Sequence, residues 1–99
     1  MTSFYSESGK IDVPASGRVN AITFRAGDVS AVVVQAYKSN FELMFDTSTH
    51  GLYLGEGCSI SFNDDDMKKI PPETQMRLDV INLDTVNSGT VAFFLMGTK

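Results

Sequence analysis

The chain has 99 residues and a mass of 10.8 kDa, which is room for one domain with a single core and none for a second domain or a lid. A net charge of -4, with the 8 basic residues scattered along the chain, leaves out the basic patch by which proteins displace counterions from nucleic acid. Neither a basic amphipathic helix nor an apolar run of spanning length is present to address a membrane.

Residues 1–8, "MTSFYSES", are polar apart from Phe4 and Tyr5 and read either as a disordered tail or as an N-terminal arm whose two aromatic rings insert into a neighbouring subunit, ahead of a domain over 9–99. The segment lacks the basic start and apolar run of a secretory signal. Cys58 is the only cysteine, so no intrachain disulfide forms, which suits synthesis in a reducing cytosol.

No later segment sustains a period of 3.6; alternating runs punctuated by Gly, Asn, Asp, Ser and Pro predict an all-β domain, one antiparallel sandwich of about eight strands with little or no helix. Lys10 to Val13 is the first strand, ended by the turn "PASG". In Arg18 to Arg25, Val19 falls out of step with Ile22 and Phe24, which predicts a β-bulge near Asn20 or Ala21. Asp28 to Lys38, "DVSAVVVQAYK", is the third strand. Phe41 to Phe45 turns Phe41, Leu43 and Phe45 inward, and Gly51 to Leu54 is short. In "GCSISF", Cys58, Ile60 and Phe62 alternate with serines, which places the Cys58 thiol in the core. Asp64 to Lys69 makes one acid-started turn of helix before Pro71 and Pro72 stop it. Gln75 to Leu83 and Thr90 to Gly97 complete the set, joined by the loop "DTVNSG".

The third and last strands are apolar on both faces. Val32, Val34 and Ala36 oppose Val29, Ala31 and Val33; Ala92, Phe94 and Met96 oppose Val91, Phe93 and Leu95. Helices cover such strands in parallel sheets, but this chain has no helices to supply. Either the strands are central in a closed barrel, which small Ala31, Ala36 and Ala92 favour, or the second face meets another chain. The second reading assigns Val32, Val34, Phe94 and Met96, with Phe4 and Tyr5 from the arm, to an interface between copies.

The candidate chemistry is thin. "NDDD", Asn63 to Asp66, fails the calcium-loop pattern because Lys68 and Ile70 replace expected oxygen donors, so no metal is assigned. His50 and Cys58 are single residues of their kinds, too few for zinc and without the orienting third group of a nucleophilic site. No glycine-rich loop leads from a strand into a helix, so no nucleotide cofactor is implied. The chain reads as non-enzymatic. A ligand-binding alternative, for a sugar or a host surface, uses Tyr37 and Tyr53 as platforms with Asn40 and His50 as polar partners.

The layout resembles the small, cysteine-poor β-sandwich proteins that tailed bacteriophages add to their particles, either head-decoration (cement) proteins or tail accessory modules. The opening "KIDVPASGRVNAITF" and the closing hairpin "MRLDVINLDTVNSGTVAFFLMG" carry the likeness, which spans nearly the whole chain. It implies a jelly-roll-like sandwich, a homo-oligomer with a trimer favoured, a capsid or other virion protein as partner, and a place in the virion after assembly in the host cytoplasm. It carries over no individual functional residue.

Overall fold

Alternating side chains need a second layer to cover their apolar rows, and the chain supplies it by pairing early strands with late ones. The computed structural model describes residues 4–46 and 51–98. Within them lie β1 (Phe4–Val13), β2 (Arg18–Arg25), β3 (Val29–Ala36), β4 (Phe41–Phe45), β5 (Leu52–Leu54), β6 (Ser59–Phe62), β7 (Gln75–Asn82) and β8 (Gly89–Thr98). The helical pieces among the described residues are a 3-10 turn, Ala26–Asp28, and a single turn α1, Asp64–Met67.

The strands form two four-stranded antiparallel sheets, ordered β1-β8-β3-β6 and β2-β7-β4-β5. Their inner rows fill the space between the layers. Val13, Val32, Val34, Val91 and Leu95 come from the first sheet, and Phe41, Leu43, Leu54, Leu78 and Val80 from the second, all buried. Three rings close one end of this core. Phe45 of β4 packs 5.8 Å from Phe24 of β2 and 5.0 Å from Phe62 of β6, so the cluster bridges both sheets.

Local chemistry explains the boundaries. The expected bulge in β2 lies between Asn20 and Ile22 and brings Ala21, Ile22 and Phe24 inward together. Asn63 caps α1: its side chain accepts from the Asp65 and Asp66 backbone N–H groups, and the Asp66 carboxylate accepts from the Asn63 N–H in return. Asp64 pairs with Lys68 at 3.0 Å, so the acidic run is spent on starting one turn of helix. Gly89 admits no side chain, since a Cβ there would collide with the Lys38 carbonyl and lie 2.7 Å from the Phe41 ring.

Among the described residues two polar side chains are buried, one between the layers and one within the second sheet. Asn82 donates to the carbonyls of Val13 (3.3 Å) and Asn87 (3.0 Å) and accepts from the Ser39 hydroxyl and the Asp84 N–H (both 3.0 Å). Asp79 points to the outer side of the second sheet yet is 1% exposed, because Arg18 and Arg77 cover it. Their Nε groups donate to its two carboxylate oxygens at 2.9 and 2.8 Å.

Three expectations are corrected. Residues 4–8 are not a separate arm; they are the first half of β1, in register with β8 from Phe4 opposite Thr98. Val32 and Val34 are fully buried in the core, not at an outer interface. A second bulge, between Val29 and Ala31, shifts parity so that Val29 joins Val32, Val34 and Ala36 inside. Cys58 is exposed, because it closes the turn from Gly55 before β6 begins, one residue ahead of the alternating pattern.

The Asn82 network makes a measurable claim. Asn82→Leu keeps the volume but strips partners from the buried Val13 and Asn87 carbonyls, so the midpoint of denaturant unfolding falls by the equivalent of about 3 kcal/mol.

Candidate functional site

Because β3 and β8 turn Val32, Val34, Val91 and Leu95 inward, their opposite rows define the outer face of the first sheet. The register sets these rows side by side. Ser6, Met96 and Ala31 form one line across the strands; Ser8, Phe94, Val33 and Ser61 the next; and Lys10, Ala92, Gln35 and Ser59 the third. An apolar stripe of Ala31, Val33, Ala92, Phe94 and Met96 therefore runs down the middle, with serines on the strands to either side. Phe94 is 39% and Met96 44% exposed, and the Phe94–Val33 pair is the aromatic and β-branched combination that stabilises neighbouring strands.

Phe4 stands at one end of this face, 90% exposed. A shallow depression of about 380 Å³ separates it from Met96, lined also by Ser6, Ser30 and Gly97. At the other end the Lys10 ammonium sits 4.9 Å from the centroid of the Tyr37 ring, whose hydroxyl donates to Gln35 at 3.3 Å. Of the expected interface residues, the structure brings Phe94, Met96 and Phe4 to this face and removes Val32 and Val34 from it. The Tyr5 backbone pairs with Gly97; its side chain lies outside the described residues. The members that the expected interface set lacked are Ala31, Val33 and Ala92; for Ala92 the parity was read but not its place in the stripe. The signal for Ala31 and Val33 was Gln35, a polar residue of the same parity, which marks that row as the wet one.

Of the alternative ligand set, Tyr53 and Asn40 flank Gly55, whereas Tyr37 stands apart. Tyr37 belongs to the outer face of the first sheet. Tyr53 is exposed on the second, opposite Glu42. Asn40 accepts from the Glu56 N–H at 3.1 Å and lines a separate polar groove of about 510 Å³ with Lys38, Ser39, Glu56, Asp84, Asn87 and Ser88. His50 lies outside the described residues. The described residues contain no group of three His, Cys, Asp or Glu side chains placed to hold a metal ion.

Within the groove, Asp84 organises the loop to β8. The backbone N–H groups of Asn87 (2.9 Å) and Val86 (2.8 Å) donate to Oδ1 and hold its carboxyl below the ordinary carboxylate range. The folded chain thus favours the charged form. This contribution is complete above the unfolded-state value and disappears as pH falls through the depressed folded value. Protection of the Val86 and Asn87 amides, relative to their intrinsic exchange rates, falls across that acid window, while protection at Leu78 and Val80 does not follow it.

No protein-family model matches the chain, and no curated protein sequence matches it. Solved structures share its fold. A structure described as Bacillus endospore appendages, a family of disulfide-linked pili, superposes with a TM-score of 0.60 at 13% identity, over 99% of this chain and 90% of that one. A de novo designed double-stranded β-helix gives 0.53 at 15% identity, over 94% and 99%. A cupin 2 conserved barrel domain protein from Salinispora arenicola gives 0.55 at 14% identity, over 91% of this chain, which spans 61% of that protein's length. At these identities the likeness is one of fold, and the chain is an all-β protein of two four-stranded antiparallel sheets like these sandwich and barrel structures.

Proposed function

We propose that the chain is a non-enzymatic structural subunit of a virion, a capsid-decoration protein that associates with its own copies and with the shell beneath them. The single observation that carries this reading is the outward apolar stripe of Ala31, Val33, Ala92, Phe94 and Met96, with Phe94 and Met96 left exposed among the described residues. Burying a side chain such as Phe94 or Met96 is worth about 1.5–3 kcal/mol. The stripe as a whole therefore weighs against the roughly 4–15 kcal/mol cost of association, and repetition over a particle multiplies it.

The interleaved strand order, β1-β8-β3-β6 facing β2-β7-β4-β5, supports a jelly-roll winding of the sandwich. Fold alone hosts many activities. The reading as a non-enzyme is supported by the interior, whose described inner rows are aliphatic and aromatic and whose buried polar side chains all have partners. A trimer is the state implied by the resemblance to phage decoration proteins. Assembly into pili, in the Bacillus appendages that share the fold, is a precedent for a structural role and no more.

Sedimentation at micromolar concentration tests the reading. The wild-type chain is expected above monomer mass, and Phe94→Asp with Met96→Asp at a lower mass than wild type with a cooperative unfolding transition retained, its melting temperature falling only by what the Phe94–Val33 contact and the lost association contribute. A wild-type monomer at these concentrations would sink the proposal. A glycan-array signal lost in Tyr53→Ala would replace it with the ligand-binding alternative.

A further inference from the structure

A sheet in this fold ends on a strand whose outward N–H and C=O groups lack a partner, and natural proteins blunt such edges with short strands, bulges or prolines. Four strands occupy edges here: β1 and β6 in the first sheet, β2 and β5 in the second. Three are blunted. β5 has 3 residues, β6 has 4, and β2 is broken by its bulge between Asn20 and Ile22. β1 is different. Its 10 residues hold one unbroken register against β8, and Phe4–Val13 contains no proline.

Resting on the self-association reading above, we infer that β1 is a pairing edge for a second copy of the chain, whose own β1 adds to it antiparallel about a twofold axis at Ser8. An antiparallel strand turns alternate backbone groups away from its partner, so β1 offers β8 one set and the far side the other. Among the described residues no strand takes that far set. Ser6, Ser8 and Gly9 are small and do not fend off an approaching backbone.

A second copy offers the same bare edge and the same unbroken length, and like-charge repulsion narrows the register. Pairing that keeps the sheet faces aligned opposes residues of equal parity. An axis at Ser8 uses Phe4 through Asp12 and sets Ser6 opposite Lys10, Glu7 opposite Gly9 and Phe4 opposite Asp12, with no like charges facing. An axis at Glu7 or Lys10 sets that residue against itself, which is destabilising. An axis at Gly9 ends on Val13, whose carbonyl Asn82 already engages. The Ser8 pairing joins the two first sheets into one surface with both Phe94–Met96 stripes on the same side. Because the contact is twofold, it links copies in pairs whether or not the stripe gathers them in threes.

The test uses single thiols. In a Cys58→Ser background, Ser8→Cys places two sulfurs across the axis, where directly opposed Cβ atoms are about 4.5–5.5 Å apart. Thiol oxidation is expected to remove the monomer band on a non-reducing gel. Thr23→Cys, exposed on β2, is expected to keep it. A second measurement needs no substitution: amides of β1 that face away from β8 exchange more slowly as wild-type concentration rises. An oligomer by sedimentation with neither the Ser8 cross-link nor the slowed exchange overturns the edge pairing and leaves self-association through the stripe standing. A chain that sediments as a monomer throughout overturns both.

Discussion

Pleating forces successive side chains of a strand to opposite sides, and every large apolar group in this chain must be reconciled with that rule. The two bulges do so. Between Asn20 and Ile22 in β2, one extra residue lets Val19 and Ile22 share the inner side. Between Val29 and Ala31 in β3, another lets Val29 sit inside with Val32, Val34 and Ala36. Without the second shift, Val29 would stand on the outer face with Val33, and the core would lose a buried valine at the end that Met67 and Ala26 close.

Polar groups complete what the aliphatic rows begin. Asn82 engages backbone groups of Val13, Asp84 and Asn87 and the Ser39 hydroxyl, so the β1 end, the β3–β4 loop and the loop into β8 meet at one buried amide. Asp79 is the counterpart on the far layer, a buried carboxylate with both oxygens engaged by arginines that are themselves half-exposed. Such a carboxylate is tolerable because both cations and their hydrogen bonds are in place. These side chains specify how layers and loops meet, where apolar packing alone would accept several arrangements.

Most of the strand pattern was legible in the sequence because period-two alternation and turn residues are local signals. The eight strands, the β2 bulge and the helical turn after Asn63 all follow from neighbours a few residues apart. What failed was parity. "VSAVVVQA" is apolar in both rows, so alternation could not say which row was inside; Gln35 held the answer but is a single residue. Cys58 was misplaced by extending the rhythm of β6 one position past the last paired residue, into a turn where pleating no longer applies. The first half of β1 was hidden for another reason. Apart from Phe4 and Tyr5 its residues are polar and show no alternation, and the length of β8 opposite them makes them a strand. For the candidate face, Phe94 and Met96 were readable from composition, whereas Ala31 and Val33 needed the register.

The molecule measures 48 × 24 × 17 Å, a thin plate whose two broad sides differ in kind. One carries phenylalanine, methionine and serine; the other carries a clasp of arginines around an aspartate. Such a plate has its orientation written into it. Laid on a support through its greasy side, it would turn to water the side that carries the arginine–aspartate clasp and the exposed Tyr53, so a layer of these subunits would show one chemically distinct exterior without any further device to tell inside from out.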